Sequence, residues 1–241
     1  MSKLDDYRGK HEGRDIVVLG TGPSLHSLDK KLLEGKVVIC VNSSILKYRE
    51  PDYYFSSDGG VCQHSHWKYV REGKFPIILG SEGCGSHVQK YGNMPPDREA
   101  CYYAKKKIVP PVMRKDAQAI IFGASSVHCA VHFAVICGAK RIIVIGCDCV
   151  YVGNICHFYD YEGEEKSIWL GEDWPYRNVR KGKPVGSYSG GFTRVKRTGN
   201  TDGCLGSILT YWRAMKKANP NIDIRAIGGL LETVFPKYTG D

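Results

Sequence analysis

Three runs of this chain are apolar almost from end to end: Asp15-Ile-Val-Val-Leu19, Val37-Val-Ile-Cys-Val41 and Arg141-Ile-Ile-Val-Ile145. A strand with one face in water alternates apolar and polar residues. A strand buried on both faces does not, and such strands belong to parallel sheets covered by helices. Tyr53-Tyr-Phe-Ser56, Phe75-Pro-Ile-Ile-Leu79 and Ile222–Ala226 read as further strands. Val127–Cys137 has a helical rhythm with Gly138 as its stop, and Leu205–Ala218 reads as an amphipathic helix ahead of Asn219-Pro-Asn221. The pattern predicts a doubly wound α/β fold, its sheet mostly parallel with helices on both faces.

The 241 residues, 42% hydrophobic and 24% charged, suit one large globular domain and exclude disorder, collagen and coiled coil. Two stretches break the alternation and are expected to be insertions: Gly80–Ala119, and the long aromatic, glycine-rich Tyr151–Gly203, a loop or lid. There is no internal repeat. The polar start, Met1–Arg14, has no apolar signal region, so the default expectation is a cytoplasmic protein. The longest apolar runs are too short to span a bilayer. Of the 10 cysteines, Cys40, Cys129, Cys137 and Cys147 lie within apolar runs and read as reduced core residues.

In a parallel sheet, ligands bind beyond the carboxyl ends of the strands. Gly20-Thr-Gly-Pro-Ser24 follows the first strand, Asn42-Ser-Ser44 the second, Ser56-Ser-Asp58 the third, and Gly146-Cys-Asp148 the strand at 141–145. Gly123-Ala-Ser-Ser126 opens the helix. The glycines allow close backbone approach and a turn that presents amides to an anion, with Thr21 or Ser24 adding a hydroxyl. The opening is neither Gly-x-Gly-x-x-Gly nor a Walker loop, and a plain tight turn is the simple alternative. Ser125 or Ser126 can likewise be a helix cap. Their convergence at equivalent ends favours a phosphorylated ligand, with Asp58 and Asp148 available to Mg²⁺ or a ribose hydroxyl.

The charge sum, 34 basic against 25 acidic residues, gives +9 and admits a polyanionic partner. From Arg177 to Arg197 there are seven basic residues and no acid, with Tyr176, Tyr188 and Phe192 among or beside them. Such a stretch can close over phosphates, remain a solvated loop, or contact nucleic acid. Cys62, His64 and His66, with Cys84 and His87 downstream, are zinc-ligand types at no standard spacing, and no metal site is expected there. His128 and His132 read as core or helix-surface histidines, and Cys147 and Cys149 as strand-end packing.

The pieces IVVLGTGPSL, VICVNSSI, SSDG and SSVHCAVHFAVICGAKRIIVIGCDCVY resemble two related families with a Rossmann-like nucleotide-binding core. One is the archaeal 6-hydroxymethylpterin diphosphokinase-like family, the other the bacterial lipooligosaccharide sialyltransferase family. The resemblance implies that Thr21 and Gly22 lie near donor phosphate or ribose, and the donor phosphate is expected on the loop from Gly20 to Ser24. It puts Asn42 beside the nucleotide, and Ser125 or Ser126 beside phosphates or base. Tyr151 and Tyr159 match tyrosines that touch the donor phosphate in the sialyltransferases. Asn200-Thr-Asp202 is similar to a sialyltransferase segment, but the general-base histidine that precedes it there has no counterpart in Arg194-Val-Lys-Arg-Thr198.

The expectation is therefore a transferase using a nucleotide-activated donor, a CMP- or UDP-sugar, with a glycan or modified DNA as acceptor. His157, Asp58 or Asp202 would be the base, and Arg197 in the basic loop would stabilise the leaving phosphate. No cofactor is required in that reaction. The alternative, an ATP-dependent diphosphokinase, would use Mg²⁺ held by Asp58 and Asp148. A nucleotide- or nucleic-acid-binding module without catalysis is the third reading.

Overall fold

The computed structural model describes residues 4–58, 60–80, 88, 92–95, 100–121, 123–150 and 203–240. In chain order the strands are β1 (Asp15–Leu19), β2 (Val37–Val41), β3 (Tyr53–Ser56), β4 (Ile77–Gly80), β5 (Ala100–Tyr103), β6 (Lys105–Lys106), β7 (Ile120–Ile121), β8 (Arg141–Ile145) and β9 (Ile224–Ile227). Seven of them form one parallel sheet in the order β5-β4-β3-β2-β1-β8-β9, while β6 and β7 pair separately. The chain runs outward from β1 to β5 and then returns to lay β8 on the other side of β1, so the strand order reverses there. The fold is α/β and Rossmann-like.

The continuous apolar runs have the predicted cause. In β1, Ile16 and Val18 join one hydrophobic cluster, and Val17 and Leu19 join another on the opposite face. Ile142 and Val144 of β8 divide from Ile143 and Ile145 in the same way. Val18 stands opposite Ile39 on one side and Val144 on the other. The first face is covered by α2 (Ser126–Ile136) and by Trp212 and Met215 of α3 (Gly203–Ala218). Phe133 of α2 meets Tyr7 and Tyr53 edge to face, with centroids 5.5 and 5.4 Å away. The second face is covered by α1 (Trp67–Glu72) and by short 3-10 turns that supply Leu25, Leu33 and Ile45.

Some boundaries move. β4 begins at Ile77 rather than Phe75, because Pro76 has no N–H to give, although its carbonyl accepts from Tyr54 N–H at 3.0 Å. The described part of the 80–119 stretch supplies β5, which extends the main sheet, and β6. The 151–202 stretch lies outside the described residues. Seven described cysteines are free, six of them buried. Among the described residues no helix is long and apolar enough to cross a membrane.

Candidate functional site

The loop after β1 is stitched to the loop after β8. Gly20 N–H donates to Ile145 O and Gly22 N–H to Gly146 O, both at 2.7 Å. A Cβ on Gly20 would lie 2.3 Å from Gly146 O, and one on Gly22 would lie 2.3 Å from Asp148 Oδ2. These glycines are needed because two backbones touch. Ser24 N–H also turns inward, to Asp148 Oδ2 at 3.1 Å. Three amides expected to face an anion are thus spent inside the protein, a correction to the phosphate-cradle reading of this loop. Half-buried Thr21 lies between them.

Asp148 is buried, 4% exposed. Its Oδ2 accepts from Ser24 Oγ as well, at 3.1 Å, and its backbone carbonyl accepts from Leu230 N–H at 2.8 Å. The Ser24 hydroxyl in turn accepts from Gly146 N–H at 3.1 Å. Gly228 and Gly229, after β9, close the arrangement: a Cβ on Gly229 would lie 2.3 Å from Asp148 O, and one on Gly228 2.3 Å from Ser24 Cβ. Burial pushes the Asp148 carboxyl up from its usual range, against the two Ser24 hydrogen bonds that pull it down, with Glu232 adding a small upward push. Asp148 and Ser24 therefore form a clip across three strand ends. The glycine pair at 228–229 escaped sequence reading, although two glycines directly after an apolar strand were a usable signal.

Asn42 follows β2 with φ +53°, in the left-handed region that Asn tolerates better than most residues. Its Oδ1 is buried and has no hydrogen-bond partner among the described residues. The start of α2 lies across the neighbouring strand ends: a Cβ on Gly20 would meet Val127 Cγ2 at 3.2 Å, and the Ser126 hydroxyl lies 2.7 Å from that of Ser57 after β3. Ser57 N–H also donates to Ser126 Oγ, at 3.2 Å. Ser125 is the cap: its N–H donates to His128 Nδ1 at 3.0 Å, and its hydroxyl lies 3.0 Å from the same nitrogen. His128 is fully buried, with burial pushing its pKa down to about 3, so its ring is a neutral core acceptor. His132, whose Nδ1 accepts from Ile121 N–H at 2.9 Å, is likewise structural.

Asp58 closes a tight turn after β3. Its N–H donates to Ser56 Oγ at 3.0 Å, and Oδ1 accepts from Gly60 N–H at 2.9 Å. Its charge reaches His64, where burial outweighs it and lowers the imidazole pKa to about 4. Asp58 and Asp148 follow β3 and β8, three strand spacings apart, on the order of 14 Å. A single ion with ligands at 2.0–2.6 Å cannot bridge that gap, which corrects the expected carboxylate pair. Among the described residues no cluster of three or more His, Cys, Asp or Glu can hold a metal. Tyr151, His157, Tyr159, Arg197 and Asp202, with the basic stretch 177–197 and with Cys84 and His87, lie outside the described residues. A cavity of about 660 Å³ lined by Lys216, Lys217, Asp223 and Phe235 opens at the amino end of β9, away from this site.

Polar residues gathered at the carboxyl ends of β1, β2 and β3, under the start of α2, define an α/β protein of the Rossmann-like class with its candidate site beside the strand-order reversal. Residues 1–154 match the family described as 6-hydroxymethylpterin diphosphokinase MptE-like, and the chain belongs to that family. No curated protein matches it. Among solved structures it is similar to the sialyltransferase CstII from Campylobacter jejuni, solved in complex with a substrate analogue, cytidine-5'-monophosphate. The TM-score is 0.50 at 12% identity, over 95% of this chain and 86% of that one. It also matches the MAf glycosyltransferase from Magnetospirillum magneticum AMB-1, with TM-score 0.39 and 12% identity, over 63% of this chain and 27% of that one. The likeness to CstII is one of fold.

Proposed function

We propose that the chain is a transferase with a nucleotide-activated donor, built as one nucleotide-binding domain, and that the transferred group is a sugar. One observation carries this reading: Asn42 Oδ1, at the end of β2 between the strands that lead to the Gly20–Gly22 loop and to Ser57, is buried with no partner among the described residues. A buried acceptor left unpaired costs about 1–3 kcal/mol, and a ligand N–H or O–H, from a base or a ribose, repays it. The nucleoside lies on the Asn42 side, and the phosphates lie toward Ser126, where helix amides and dipole favour an anion. Asp148 shapes the floor through Ser24 and touches no substrate. Asp58 is the described candidate for the base that takes the acceptor proton, with His157 and Asp202 as the others. Tyr151, Tyr159 and Arg197 would close on the donor phosphate. The acceptor is a glycan or modified DNA.

Family membership favours a second reading, diphosphoryl transfer from Mg-ATP. Thermal denaturation with CMP, UDP, ATP and the corresponding nucleotide sugars, with and without Mg²⁺, separates the two. Stabilisation by CMP or UDP without metal is expected for sugar transfer. Stabilisation by ATP only with Mg²⁺, and release of AMP on turnover, would replace it with the diphosphokinase. No shift with any nucleotide would overturn both.

A further inference from the structure

Among the described residues two large apolar side chains stand in solvent, Val109 at 81% and Val112 at 39% exposure, and both lie on the connection from β6 to β7. A lone exposed apolar residue is ordinary on a protein surface. Here Pro110 beside them is exposed too, and the backbone that carries the three is held in place. The Asn219 side chain, directly after α3, grips it on both sides of Val112. Its Oδ1 accepts from Met113 N–H at 2.7 Å, and its Nδ2 donates to Pro111 O at 2.9 Å. Nδ2 also donates to Met215 O at 2.7 Å, which ties the same amide to the helix. On the other side, His132 Nε2 of α2 lies 3.2 Å from Arg114 O and donates to it, since Nδ1 already accepts from Ile121 N–H. Pro111 and Met113 are buried, so Val112 between them is turned outward. The apolar tip is displayed on a fixed base.

The two segments that Asn219 joins are basic. Lys106 and Lys107 lead into the tip, and Arg213 and Lys217 lie in the last two turns of α3. All four side chains are exposed, and none meets an acid among the described residues. The acids near the tip are taken by other cations. Asp116 accepts from both arms of Arg114, at 2.9 and 2.8 Å, and Glu12 accepts from Lys115 at 2.7 Å. An aliphatic tip and four unneutralised cations thus share one clamp.

We propose that this face docks on an anionic bilayer surface. Val109, Pro110 and Val112 enter the boundary between headgroups and acyl chains, while Lys106, Lys107, Arg213 and Lys217 meet acidic headgroups. The chemistry of the tip selects this occupant. Valine and proline side chains offer neither ring faces for bases to stack on nor hydrogen bonds for base edges, so the tip is not built for nucleic acid. Three small side chains also fall far short of the roughly 800 Å² per partner that a stable protein dimer buries. The contact is peripheral and reversible, because a few inserted methyl groups and surface cations do not anchor a chain permanently. The inference goes beyond the donor reading and does not depend on it.

The test is flotation of the full chain with vesicles of phosphatidylcholine alone and of equimolar phosphatidylcholine and phosphatidylglycerol, at low and high salt, with duplex DNA titrated in parallel. The wild type is expected to float with the anionic vesicles, less so at high salt, and not with phosphatidylcholine alone. The double variants Val109→Ser/Val112→Ser and Lys106→Gln/Lys107→Gln are each expected to lose about tenfold in partitioning at an unchanged melting temperature. Val109→Leu adds one CH₂ to the tip and is expected to bind about fourfold tighter, a gain that no folding defect produces. A wild type that stays off the anionic vesicles would overturn the proposal, and so would a valine double variant that partitions like the wild type. Duplex DNA bound through Lys106 and Lys107, with no vesicle binding, would overturn it in favour of a nucleic-acid surface.

Discussion

Ser24 and Asp148 are bonded twice, through the serine N–H and hydroxyl to one carboxylate oxygen, each at 3.1 Å. The pair joins the loops after β1 and β8, and the Leu230 N–H on Asp148 O adds the loop after β9. Asp148→Ala would leave the Ser24 donors facing a void and is expected to cost about 2–3 kcal/mol in urea denaturation. Asp148→Asn keeps an acceptor oxygen where burial already disfavours the charge, and is expected within about 1 kcal/mol of wild type. Turnover abolished in a fully stable Asp148→Asn would assign this carboxylate to chemistry instead.

Crowding and backbone conformation can be separated at three glycines. Gly20→Ala and Gly22→Ala each place a methyl 2.3 Å from an oxygen of the β8 loop. Each is expected to lower stability by about 1–3 kcal/mol. Gly35 has open space around it but φ +70°, so Gly35→Ala pays only the left-handed penalty, about 1–2 kcal/mol. Denaturation midpoints of the three variants check the order. A Gly20→Ala protein as stable as wild type would mean that the β1 and β8 loops are not in contact.

The sheet was legible because a strand buried on both faces leaves no other pattern; Ile16 to Leu19 divide between two clusters as that requires. Helix α2 was legible within one residue at each end, since Ser125 and Gly138 punctuate it. Strand ends located the polar residues but not their partners. Ser24 looked like a ligand hydroxyl because Asp148, which takes it, is 124 residues away. Asp58 and Asp148 looked like a pair until strand order put β2 and β1 between them.

Buried histidines set the acid limit. Burial lowers His64 and His132 to about 4 and His128 to about 3, and takes His66 well below its ordinary value. The unfolded chain binds these protons near pH 6.5 and the folded chain does not, so stability is full above pH 6.5 and falls as pH drops toward 4. Each such group contributes a slope of up to about 1.4 kcal/mol per pH unit. Asp148, shifted upward, acts with the opposite sign and offsets part of the loss at the acid end. His132→Asn can keep an acceptor for Ile121 N–H without a titrating ring. It is expected to be less stable than wild type at pH 8 but to lose less between pH 7 and 5. Denaturation curves across that range check it, and equal pH slopes for the two proteins would remove His132 from the account.

Asn42 separates ligand recognition from folding. Its φ of +53° suits Gly as well as Asn, so Asn42→Gly holds the backbone while removing the amide. Asn42→Ala must carry a Cβ in the left-handed region and is expected to lose about 1–2 kcal/mol of stability. Removing a buried oxygen that has no partner among the described residues takes away a penalty, so ligand-free Asn42→Gly is expected to melt at or above the wild-type temperature. If that oxygen receives a donor group from the nucleotide, the same variant loses about tenfold in nucleotide affinity, and its ligand-induced melting shift shrinks. A stability gain paired with a binding loss marks a residue held for the ligand. A stability loss with undiminished nucleotide affinity would show that Asn42 serves only the turn after β2.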